Sequence, residues 1–241
     1  DTRPGETTYD GQFAGQGTRT AGSVLELQVA GRGGVPAGSA AAVVNVTAVN
    51  AVGPGFVTAY PCDASRPLAS SLNYQPGTAS PNEVIAKLSA TGTLCLYVLQ
   101  GVDLIVDVVG ATPVTPGYTP LAPARFLDTR PGQSTIDNQY AGQGRRPAGS
   151  TLELRIVGRN GLTGGTAATV NITAVGGAGP GFVTVHPCDE PRPLASSLNY
   201  VPGTATPNEI VAKLSATGTI CLYTLTEVDL IADVTGMSGS V

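Results

Sequence analysis

The chain has 241 residues, 41% hydrophobic and only 12% charged, with a formal net charge of −4 and a pI near 4.9. That length suits one or two domains, and its 13 basic residues are too scattered to form the stripe that nucleic acid or an anionic membrane surface requires. The hydrophobic residues are mostly Ala, Val and Leu, with no Trp; together with 32 Gly and 19 Pro they favour a turn-rich β fold over a helical one.

The sequence is written twice. RPLASSLNY at 66–74 recurs unchanged at 192–200, KLSATGT at 87–93 recurs at 213–219, and GPGFVT at 53–58 recurs at 179–184. DTRPG opens both copies, at 1–5 and 128–132. The repeat predicts two domains, 1–112 and 125–241, joined by a proline-rich linker at 113–124. It also supplies a control, because a proposed active site must be judged in both copies.

In chain order, VLELQV (24–29) alternates apolar and polar residues, as a half-buried strand does. AAVVNVTAV (41–49), GFVTAYP (55–61), SSLNY (70–74), EVIAKL (83–88), TLCLYVL (93–99) and VDLIVDVV (102–109) follow, separated by turn residues. FLDTR (126–130) then opens the second copy, and no segment holds a helical period. The predicted fold is all-β: two tandem antiparallel β-sandwiches, Ig-like or jelly-roll-like, with a closed barrel as runner-up. Prolines at 113, 116, 120 and 123 predict a semi-rigid linker. Copy two carries PLAPARFL before its DTRPG, whereas copy one begins at Asp1. Copy one is therefore predicted to lack its first strand segment, either as a fragment of a longer array or with another subunit supplying that edge. Strand donation of that kind joins subunits head to tail.

The cysteines fall as Cys62/Cys95 and Cys188/Cys221, each pair 33 residues apart and without zinc-ligand spacing. One disulfide per copy is expected, which places the chain in an oxidising, extracellular compartment. With no signal peptide, the sequence reads as a mature chain or an excised fragment. VDLIVDVVG (102–110) is too short and too acidic to insert in a membrane.

Aspartates within that apolar strand need partners. Arg3 and Arg130 are predicted to hold Asp107 and Asp233 as structural ion pairs. A catalytic couple of Asp103 and Asp107 is disfavoured, because four residues along a strand span about 13 Å, beyond the ~5–9.5 Å of glycosidase carboxylates. His186 is Tyr60 in the other copy and reads as a surface residue without a triad. DGQFAGQG (10–17) and DNQYAGQG (137–144) read as ordered loops; Asp10, Gln12 and Gln16 could offer oxygens to calcium. The NVT and NIT sequons (45–47, 171–173) sit mid-strand, where a glycan has no room. The predicted ligand surface is Ser71, Asn73, Tyr74, Asn82 and Glu83, repeated as Ser197, Asn199, Tyr200, Asn208 and Glu209. These residues could hydrogen-bond sugar hydroxyls while the tyrosine stacks on a ring; turn chemistry is the competing account. No catalytic residue, metal ligand or cofactor is assigned.

The order DTRPG, NVTAV, GPGFVTAYPC, RPLASSLNY, PNEVIAKL, TLCLYV, VDLIVDVVG resembles a repeat module of secreted actinobacterial proteins, often found in tandem and beside cell-wall hydrolase or other exported domains. The resemblance spans nearly the whole chain in both copies and contains no catalytic motif. It implies an extracellular, non-catalytic accessory or surface-array module. The function expected is therefore a structural or adhesive repeat at the cell surface, assembling head to tail into a fibre by strand donation. The alternative is a carbohydrate-binding module for cell-wall or environmental glycans. The partner is accordingly another copy of the chain or a cell-surface glycan.

Overall fold

A computed structural model of the protein describes residues 1–112 and 117–239. The chain divides into two compact units, Asp1–Thr115 and Pro116–Val241. Both are built from antiparallel strands, and no helix occurs among the described residues.

Unit 1 holds β1 (Val24–Gln28), β2 (Ala41–Val49), β3 (Gly55–Pro61), β4 (Leu72–Tyr74), β5 (Ser80–Lys87), β6 (Thr93–Val98) and β7 (Asp103–Thr112). They form a four-stranded sheet, β1-β6-β3-β4, and a three-stranded sheet, β5-β2-β7. The period-two pattern decides which side chains go inside. Along β2, Ala42, Val44, Val46 and Ala48 are fully buried, while Val43, Asn45 and Thr47 between them are half-exposed. Leu25 and Leu27 of β1 meet them from the other sheet, with Leu94, Leu96 and Val98 of β6, in a single core. This is a sandwich of two sheets closed over apolar inner faces.

Unit 2 repeats the plan with β9 (Thr151–Arg155), β10 (Ala167–Val175), β11 (Gly181–Pro187), β12 (Leu198–Tyr200), β13 (Ala205–Lys213), β14 (Thr219–Thr224) and β15 (Asp229–Ser238). It adds one strand, β8 (Tyr118–Asp128), so its second sheet is four-stranded, β13-β10-β15-β8. The predicted linker thus needs correction: residues 118–124 are strand, and only 113–116 lie outside the described residues. β8 is an edge strand with two register shifts against β15. At an edge, alternate amides point away from the ladder, so Pro120 and Pro123 are tolerated there.

Each unit has one disulfide, Cys62–Cys95 and Cys188–Cys221, with Cα atoms 5.0 Å apart in both. Cys62 lies just past the end of β3, and Cys95 is in β6 opposite Tyr60. The bridge therefore fastens the start of the 62–71 loop to the outer face of the larger sheet.

Candidate functional site

The DTR motif and the acidic strand do meet, but with different partners from those expected. In an extended chain, residues two apart share a face, so Asp1 and Arg3 pair directly, at 2.6 Å, and Arg130 pairs with Asp128 at 2.7 Å. Asp233 is held instead by Arg125 of β8, through Nε and Nη2 at 2.9 and 3.1 Å. Arg125 also donates to Asp128 at 3.1 Å. The result is a neutral chain, Arg130–Asp128–Arg125–Asp233, whose central members are almost fully buried. Burial opposes the charge on Arg125, but Asp233 and Asp128 outweigh it and raise its pKa. In place of the expected Arg3–Asp107 and Arg130–Asp233 pairs, Arg3 and Arg130 pair within their own DTR motifs, and Asp233 is held by Arg125 of β8. In unit 1, Asp107 lies exposed on β7.

A second arginine system closes the glycine-rich loops. Arg32 grips Asp10 with two hydrogen bonds, at 2.8 and 2.7 Å, and Arg159 grips Asp137 in the same way. The Arg32 bonds hold the Asp10 carboxyl down at about 2. The same guanidinium groups lie over Phe13 and Tyr140, at 4.9 and 5.0 Å from the ring centroids. Both aromatics sit at positive φ, 57° and 58°, a strained setting for a bulky residue that both copies retain. The aspartate expected to offer oxygens to calcium is therefore engaged by arginine. No group of three or more His, Cys, Asp or Glu side chains suited to a metal occurs among the described residues.

Beside β7, unit 1 has a cavity of about 430 Å³. Leu25 and Leu27 line it from one sheet and Leu104 and Val106 from the other, with Val29, Tyr9, Phe13, Arg32 and Asp107 also on its wall. In unit 2, Phe126 and Leu127 of β8 are fully buried and belong to the core. Arg159 lies 4.5 Å over the Phe126 ring.

The predicted ligand surface needs a larger correction, because its residues fall into two sheets and onto opposite faces. Tyr74 is 1% exposed, and its hydroxyl donates to the Gln100 carbonyl at 2.7 Å. Its ring lies over Gly55, where a Cβ would stand 2.6 Å from it. Tyr200 is buried in the same way over Gly181. Ser71 Oγ accepts from the Ala59 amide, and Asn82 donates to the Ser71 carbonyl at 2.7 Å. Ser197 and Asn208 make the same two bonds. Asn73 and Glu83 point outward, but from different sheets, and Asn199 and Glu209 follow them, Glu209 accepting from Thr235 Oγ1 at 3.1 Å. These residues tie the 62–74 loop to the sandwich, as turn chemistry demands.

What the repeated strings do expose is on the outer face of β3 and β6. Phe56 and Tyr97 have centroids 6.0 Å apart, and the exposed Arg66 lies 4.1 Å over Tyr97. In unit 2, Phe182 and Tyr223 are also 6.0 Å apart, with Arg192 at 3.8 Å over Tyr223. Both aromatic pairs are half-buried. Asn73 lies opposite Phe56, its buried Nδ2 without a hydrogen-bond partner among the described residues. The sequence signal was available: these aromatics occupy outward positions of alternating strands, and both arginines open the RPLASSLNY string. His186 is also on this face but is largely covered, with Nδ1 2.9 Å from the Pro187 carbonyl oxygen, a departure from the predicted surface position.

No family model matches the chain, and no curated protein matches it. Among solved structures, it is similar to the N-terminal CBM22-1–CBM22-2 tandem domain of Xyn10C from Paenibacillus barcinonensis, over 92% of both chains. The identity is 13% and the TM-score 0.24, so the likeness carries no argument for fold or function.

Proposed function

We propose that this chain is a non-catalytic, extracellular adhesive repeat that holds a repetitive cell-wall or cell-surface glycan through one outer-face patch presented twice. The observation that carries this reading is the near-identical Phe56–Tyr97–Arg66 and Phe182–Tyr223–Arg192 geometry in the two units. Half-exposed aromatic rings offer rigid apolar area for the C–H faces of a sugar, and a guanidinium offers donors for its hydroxyls. Two such patches on one chain gain avidity on a polymer that repeats. The disulfides are consistent with an oxidising compartment outside the cell. Asp10 and Asp137 hold the glycine-rich loops, and Asp128 and Asp233 hold β8.

Titration of the whole chain with purified cell-wall polysaccharide tests this reading. Loss of one patch, by Tyr97→Ala or Tyr223→Ala, is expected to weaken binding at least about tenfold through lost avidity. The double variant is expected not to bind, with circular dichroism unchanged. Wild-type affinity in the double variant would contradict the proposal.

A further inference from the structure

The outer-face patch of each unit carries a positive charge that the protein itself does not answer. Arg3, Arg32, Arg125, Arg130, Arg145 and Arg159 each meet a carboxylate. The guanidinium groups of Arg66 and Arg192 make no ion pair or hydrogen bond among the described residues; each lies only over its tyrosine ring. The acids nearest them in the chain are committed elsewhere. Asp63 accepts from the Ala90 amide at 2.8 Å, and Asp189 from the Ala216 amide at 2.7 Å. Glu190 pairs with Lys213. Glu26 and Glu153 stand on the same sheet face, opposite Cys95 and Cys221, and form no ion pair among the described residues.

The loop that bears each arginine is fastened at both ends. In unit 1 the disulfide holds its start, and Thr58 Oγ1 donates to the Ala69 carbonyl at 2.6 Å near its end, next to the Ser71 bond already described. Cys188, Thr184 and Ser197 repeat these ties in unit 2. Both arginines are exposed, so their edge donors remain open beside the ring. A planar fork of donors with no internal counter-charge is complementary to an oxyanion, and a carboxylate meets it in two parallel bonds. Phe56 and Phe182 supply apolar ring area on the other side of the same tyrosines.

We infer, building on the glycan reading above, that each patch selects a uronic acid. The C–H face of the pyranose lies against Phe56 or Phe182, and its carboxylate meets the fork of Arg66 or Arg192. A carboxylate one bond from the ring puts charge and apolar face on a single rigid residue, which suits an arginine and a phenylalanine flanking one tyrosine. A phosphodiester sits on a flexible bridge between sugars and lacks that match. The net charge of −4 gives the chain no general attraction for polyanions, so selection rests on these two local points.

The test titrates the whole chain with purified cell-wall polysaccharide in three forms: untreated, carboxyl-reduced, and stripped of phosphodiesters. Carboxyl reduction is expected to weaken binding at least about tenfold, as loss of a charge-assisted bidentate contact does, and phosphodiester removal to leave it unchanged. In the double variant Arg66→Gln/Arg192→Gln, with circular dichroism unchanged, carboxyl reduction is expected to make no further difference, because the two changes remove one interaction. Undiminished binding after carboxyl reduction would overturn the uronate inference and leave the adhesive reading standing. A loss confined to phosphodiester removal would overturn it in favour of phosphate. An equal effect of carboxyl reduction in wild type and variant would overturn it by placing the carboxylate contact elsewhere. No binding of the untreated polymer would overturn the adhesive reading and this inference together.

Discussion

Arginine is the residue that organises this protein. Arg125 is buried between two aspartates, and Arg159 combines a carboxylate, two aromatic rings and a backbone carbonyl. A planar guanidinium suits such sites because it offers five donors and a stacking face together. The Asp10–Arg32 pair is the exposed version and has a measurable pH signature. Its carboxyl is held at about 2, so the tie is intact above the ordinary carboxylate pKa of about 4 and is lost as pH falls through about 2. Carboxyl-carbon NMR is expected to show Asp10 titrating near 2 in the wild type and returning to about 4 in Arg32→Gln. An unchanged titration would mean that Arg32 does not set it.

Among the elements, the strands were the most legible feature of the sequence. Alternation in VLELQV identified which residues face the core, and the observed β1 follows it; AAVVNVTAV read as a strand and forms β2. The ion pairs and the ligand surface were not legible, for a shared reason: both depend on which strands become neighbours. Arg3 and Arg130 had partners two residues away, and local pairing won. Ser71, Asn73, Asn82 and Glu83 are close in sequence, yet the chain changes sheets between β4 and β5 and separates them. The proline-rich stretch read as a linker because proline content does not distinguish a tether from an edge strand. The unchanged GPGFVT string gains a physical account from Tyr74, whose ring is fixed by hydrogen bonds to Gln100 and leaves no room above Gly55. Gly55→Ala is expected to cost about 1–3 kcal/mol of stability, as overpacking does. Denaturant unfolding would measure it, and a neutral result would mean that the ring can move aside.

At the scale of the whole molecule, duplication has produced two units with the same core plan, the same disulfide and the same outer-face patch, but unequal second sheets. On the proposed reading, doubling the patch gives avidity, since two weak contacts on one chain act together. The second sheet has three strands in unit 1 and four in unit 2, where β8 covers the outer edge of β15. Amide hydrogen exchange resolves that asymmetry most directly, because opening follows local pairing and burial. β15 amides between Ile231 and Thr235 are expected to exchange at least about a hundredfold more slowly than their β7 counterparts between Ile105 and Val109. Equal protection of the two strands in the unliganded chain would contradict the account.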